Sequence, residues 1–283
     1  MAVSMLRGFP KAHEGTRGDP GLFGPESMVW KLNGEAAMIV GGQRALLMQI
    51  AHPLVAAGVA RHSRFPRDSF QRLWRTLDVM LTISFGDGAQ WREAADAVTR
   101  VHETVSGTSR EGVPYDALDP RLLLWVHATL VDSAFVTYER FVGPLGPAER
   151  ERYYEEMKRQ ATVVRVPEEV IPPTLEDFRL YVKDTIPTLE VSEDALGLRD
   201  GVISPAVPVA LRPATAWLRA ITIALLPEQL RAGFGLTLSG AQSGTADASA
   251  AILRRVLPFL PGRVRYWPHA REAARRTGAP GRS

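Results

Sequence analysis

From Gly34 onward, apolar residues recur at three- and four-residue spacing in segment after segment, and no stretch alternates apolar and polar with a period of two. That pattern builds helices and leaves no material for a core sheet. Hydrophobic residues make up 45% of the 283 positions, enough to give such helices a common core. No internal repeat is present. The expectation is an all-α fold: a single domain of about ten helices, with residues 31–270 as its body. Residues 1–30, rich in Gly and Pro, are expected to form an irregular lead-in, and residues 271–283 a basic, solvated tail.

Capping residues and breakers divide the body. A helix spans about Gly34 to Ala60, with Pro53 kinking it. The next is capped by Asp68 or Ser69 and ends after about Ser84 at "FGDG". A third covers 89–106 and stops at Gly107, and "SREGVPYDALDP" is a loop. Pro120 opens a long helix to about 142. "PAERERYYEEMKRQ" starts with acid, as a helix dipole favours, and Thr174 caps "LEDFRLYVKDTI". Residues 186–213 are dotted with proline and resist assignment. "PATAWLRAITIALLPEQLRAGFG" reads as one or two helices, and "SGTADASAAILRRVLPFLP" as the last.

Several functions are excluded early. The net charge is only +3, so no global field attracts nucleic acid. There is no cysteine, which removes disulfides, thiolate metal sites, cysteine nucleophiles and covalent C-x-x-C-H haem attachment. No signal-like run opens the chain. The most apolar stretch, residues 45–60, contains Gln49, His52 and Pro53 and is too short to span a bilayer comfortably. A cytoplasmic protein is expected. The arginine excess near the C-terminus suits at most a weak membrane-surface contact, and oligomeric state is not encoded legibly.

Three of the six histidines fall inside expected helices. His102 lies in a stripe of Trp91, Ala94, Ala95, Val98, Val101 and Val105, whose small side chains form a floor for a flat, bulky group. His127 lies among Leu123, Leu124, Leu130, Val131 and Ala134, and His52 beside Met48 and Val55. Each has an ordinary explanation as a core histidine bonded to a backbone carbonyl or buried water. The H-E-x-x-H and E-x-x-H patterns and the EF-hand loop are all absent. One buried histidine over an apolar floor remains compatible with haem b.

The helix through "RLWRTLDVMLTISFG" adds a second signal. Its main stripe is Phe70, Leu73, Trp74, Leu77, Met80 and Leu81, while Arg72, Thr76, Val79 and Ile83 form an opposite face, flanked by Arg75 and Thr82. A helix buried on both sides must give its guanidinium an anionic partner. A haem propionate and a structural carboxylate serve equally.

"RLWRT" (72–76), "VTRVHETVSG" (98–107), "LDPRLLLWVHATLVDSAFVTYERFVGPL" (118–145), "GEAAMIVGGQRALLMQIAHPLVAAGVARHS" (34–63) and "YYEEMKR" (153–159) resemble one family. It holds the latex-clearing rubber oxygenases and the mpaB-type oxygenases, long catalogued as a domain of unknown function. The resemblance covers roughly residues 25–270. It implies a globin-like helical core around a haem b pocket, with dioxygen and a hydrophobic, unsaturated small molecule or lipid as partners. It implies His102 as the axial iron ligand, with His127 as its rival, and His52 and His127 positioning the cofactor or tying helices together. An R-x-x-K-T segment lines the family's distal side; here Arg72 and Thr76 match and Arg75 replaces the lysine. A permanently protonated arginine is a poor sixth ligand, and no lysine lies between Lys31 and Lys158. The resemblance therefore implies an iron left open or water-bound distally, with Arg72, Arg75 and Thr76 around it. Glu35 and His52 are conceivable bases without specific support. The same residues also suit a non-catalytic haem or gas-binding module, and a cofactor-free helical protein remains the plainest alternative.

Overall fold

The computed structural model describes residues 10–62, 69–205 and 207–279, without the side chains of 69–73. Fourteen α-helices are described: α1 Met28–Asn33, α2 Gly42–Ala51, α3 Pro53–His62, α4 Ser69–Phe85, α5 Gly88–His102, α6 Pro120–Phe141, α7 Pro147–Val163, α8 Leu175–Thr185, α9 Glu193–Ile203, α10 Arg212–Leu225, α11 Glu228–Gly233, α12 Gly240–Val256, α13 Gly262–Arg265 and α14 Pro268–Thr277. The fold is an all-α single domain around one main core.

The caps are those the sequence offers. Asp87 accepts from the backbone N–H groups of Ala89 and Gln90, while Gln90 accepts from the Asp87 N–H. Asp119 caps α6 ahead of Pro120, Thr174 caps α8 and Ser192 caps α9. At Pro53 the expected kink is a complete break. His52 adopts an extended backbone, as a residue before proline must, and its Nδ1 accepts the Leu54 N–H at 3.3 Å.

The 22-residue α6 is buried on several faces and forms the centre of the fold. Trp125 donates to the Met48 carbonyl at 3.0 Å, fastening α2 to α6. Arg44 is buried on α2, yet all its contacts are satisfied. It reaches Asp132 at 2.6 Å, the Ser133 hydroxyl at 2.7 Å and the Leu225 carbonyl at 2.9 Å. Gly41 lets the chain pass close to α6: a Cβ there would lie 2.0 Å from Thr137 Oγ1.

Three expectations need correction. The third helix ends at His102, and residues 106–108 pair antiparallel with 114–116 as a small hairpin. Three-residue strands are too short to print an alternation in sequence. Residues 271–277 are not a solvated tail but most of α14, which buries Ala270, Ala273 and Ala274. Its Arg276 donates to the carbonyls of Asp19 and Phe85, pinning the lead-in to the body. The proline-dotted stretch contains α9, followed by a 3-10 turn at Val209–Leu211.

A cavity beside an antiparallel helical hairpin

A cavity of about 150 Å³ lies where α2, α4, α6 and α7 converge. On α4, Leu77, Met80, Leu81 and Ser84 line it at helical spacing, so the expected main stripe faces a cavity as well as packed core. Ala45, Leu46 and Gln49 contribute from α2, Leu130, Ser133 and Ala134 from α6, Tyr153 and Met157 from α7, and Trp267 from the segment before α14. No charged side chain is among the described lining residues. Two polar ones are buried and free: neither the Gln49 amide nor the Ser84 hydroxyl has a hydrogen-bond partner among the described residues. Tyr153 is already engaged, its hydroxyl donating to Asn33 Oδ1 at 3.0 Å. Thr76 lines the same cavity and is itself exposed, so the cavity opens to solvent there. Sequence reasoning noted Gln49 only as an interruption of an apolar run; that interruption was the available signal.

The helices α4 and α5 pack directly on each other and are joined by the two residues Gly86 and Asp87. They run antiparallel. Fourteen residues of α5 beyond Gly88 carry the chain about 21 Å, and thirteen residues back along α4 from Phe85 about 20 Å. The backbone of Arg72 therefore stands level with His102 at the open end of this hairpin, and Thr76 lies one turn further in. The Arg72 side chain is outside the described residues. Arg75 and Thr76 are exposed. A buried second face holding a guanidinium is thus not what Arg75 sees, although Ile83 at the other end of α4 is fully enclosed.

His102 is the last residue of α5 and half-buried. Its Nδ1 is enclosed and has no partner among the described residues, and burial lowers its pKa below the ordinary imidazole value. The expected apolar floor is only partly present: Ala94 and Ala95 are buried, Val98 is half-buried and Val101 is exposed. His102 does not line the cavity. His127 is fully buried; its ring donates to the Met157 carbonyl, and burial pushes its pKa down to about 4. It ties α6 to α7. His52 sits at the break between α2 and α3, its pKa lowered by burial. Glu35, one conceivable base, is held by Arg265 at 2.6 Å and 2.9 Å. His269 was not singled out from sequence. It is buried on α14 with Nε2 3.4 Å from Asp78 Oδ1, too poorly aligned to bond, and burial pushes its pKa down to about 4.

A haem needs a neutral, unengaged ring nitrogen; among the described histidines, His102 Nδ1 and both ring nitrogens of His269 are enclosed and unpaired, and of His52, His102 and His127 only His102 meets that condition. The donor fits. The cavity itself is smaller than the roughly 300–1,000 Å³ usual for cofactor sites. It is comparable to engineered cavities of about 150 Å³ that admit benzene. No group of three or more His, Asp or Glu suited to a bare metal ion occurs among the described residues.

Residues 30–259 match the family described as ER-bound oxygenase mpaB/B′/Rubber oxygenase, catalytic domain, and the chain belongs to that family. It is an oxygenase-type catalytic domain, an oxidoreductase at that level of description. Two uncharacterized proteins, one of Mycobacterium tuberculosis and one of Mycobacterium bovis, are each 30% identical to it over 228 residues, covering 77% of this chain and 88% of theirs. No solved structure matches. No described helix is long and apolar enough to cross a membrane. Trp267, which closes part of the cavity, lies beyond the matched span.

Proposed function

We propose that the chain is a haem b-dependent oxygenase of the cytoplasm acting on an uncharged, largely apolar, unsaturated molecule. The observation that carries this reading is the Nδ1 of His102, enclosed and without a partner among the described residues, at the end of α5. His102 would hold the iron. Haem, when bound, supplies the dioxygen chemistry. The protein's own residues do the rest. The lowered pKa of His102 keeps its imidazole neutral near pH 7, as a ligand nitrogen must be. Arg75, permanently protonated, would be a poor ligand to the iron. The Thr76 hydroxyl lines the cavity, where it can donate a hydrogen bond to substrate.

The cavity takes one end of the substrate. Its apolar walls exclude water, and the Gln49 amide and Ser84 hydroxyl orient an alcohol or carbonyl oxygen. A carboxylate there would be buried without a counter-charge, at a cost of several kcal/mol on the order of magnitude. The rest of a longer chain leaves past Thr76. The test is oxygen uptake by protein purified from haem-supplemented cells, with an unsaturated long-chain alcohol and its matching carboxylate. The reading expects a Soret band near about 400 nm, with uptake on the alcohol well above that on the acid. Absence of the band contradicts haem dependence; preference for the acid contradicts the assignment of the cavity.

A further inference from the structure

Eight of the twelve exposed large apolar side chains among the described residues fall between 209 and 264, so the apolar surface is concentrated rather than scattered. Part of it forms a continuous stripe. Trp217 on α10 donates its Nε1–H to Ser249 Oγ of α12 at 2.8 Å. Ile252 and Val256 follow Ser249 at i+3 and i+7 on the same face of α12, and Phe259 follows Val256 by three residues in the 3-10 turn Leu257–Phe259. Phe259 is 86% exposed, Ile252 60%, Val256 43% and Trp217 38%. An aromatic ring so fully presented gains nothing from its own fold.

The charges in this part of the chain are predominantly positive. Residues 203–267 carry seven arginines, no lysine, and only Glu228 and Asp247 as acids. Asp247 is taken by Arg140. Arg255 and Arg263, both exposed and flanking Phe259 in sequence, make no ion pair among the described residues. A surface that is apolar at its crest and cationic at its margins disfavours a second copy of itself, because like charges would face each other. It suits an anionic bilayer, where aromatic and aliphatic tips enter the headgroup layer and arginines meet phosphates.

We propose that the α10–α12 face and the 257–264 segment form a peripheral docking surface for anionic lipid membranes, with Phe259, Ile252 and Trp217 entering the interface. This does not depend on the oxygenase reading. The experiment is flotation of the full chain with vesicles of phosphatidylcholine alone and with about 30% phosphatidylglycerol. Binding is expected only to the anionic vesicles, and high salt should weaken it. Phe259→Asp should reduce it about tenfold, since it removes a large apolar group and adds a repelled charge. The pair Arg255→Glu and Arg263→Glu should reduce it at least as much. Val101→Asp, at an apolar site elsewhere that is 60% exposed, should leave vesicle binding unchanged. Circular dichroism of each variant separates lost docking from lost folding. No binding to anionic vesicles overturns the proposal, as does equal loss with Val101→Asp. A dimer that Phe259→Asp dissociates, without vesicle binding, also overturns it and assigns the face to a second copy.

Discussion

His127 and His102 occupy comparable places in the sequence, each on a mainly apolar helical stripe, but the structure gives them opposite surroundings. Around His127, in the middle of α6, Leu123, Leu124 and Val131 are buried and the ring has a carbonyl to donate to. Around His102, at the last residue of α5, the helix ends, the next strand is short, and a ring nitrogen is enclosed with no partner among the described residues. A core uses a histidine as a tie when a backbone acceptor from another helix meets it. Where none does, the unmet nitrogen is left for a ligand.

This contrast can be broken experimentally. The largest effect is expected at His127. His127→Ala removes a fully buried ring and its bond between α6 and α7, and should cost about 3–5 kcal/mol in urea unfolding. Haem bound per folded molecule should be unchanged.

The same residue predicts an acid limit. Folded His127 has a pKa of about 4 against 6.5 for an ordinary histidine. Between those values the unfolded chain binds the proton and the folded chain does not. Stability is therefore full above about pH 6.5 and falls as pH drops toward 4, by about 3 kcal/mol from this group. Urea midpoints measured from pH 7 to pH 4 should show the slope, and His127→Gln should flatten it. An unchanged slope would place the acid sensitivity elsewhere, His269 being the next buried histidine.

Gly41→Ala sharpens the comparison on the core side. Its Cβ would collide with Thr137 Oγ1 against α6, so a loss of about 1–3 kcal/mol is expected by thermal unfolding. The smallest effect is at His102. In cofactor-free protein His102→Ala breaks no hydrogen bond among the described residues and empties a half-buried site, so stability should move by less than about 1 kcal/mol. A loss as large as that of His127→Ala would make His102 a structural residue as well.

How much of this was legible beforehand follows from the range of each interaction. Caps such as Asp87, Asp119 and Thr174 act within three residues, so they mark helix starts directly. The stripe of Leu77, Met80 and Leu81 was legible as apolar, but not as the wall of a cavity, because the opposing walls come from α2, α6 and α7. The partner of His127 is a carbonyl thirty residues away, which periodicity cannot reveal. Val101 shows the limit of stripe arithmetic: it keeps its helical phase but is exposed near the end of α5. The last helix was missed because its buried residues are alanines, whose weak apolar signal is masked by the arginines between them.

The central claim is that the nitrogen at position 102 holds the iron. The most direct measurement is the visible spectrum of His102→Gly expressed with haem supply, with and without added imidazole, beside wild type. The account predicts a Soret band near about 400 nm in wild type, its loss or marked shift in His102→Gly, and its return when free imidazole fills the vacated space. A band in His102→Gly identical to wild type without imidazole would contradict it.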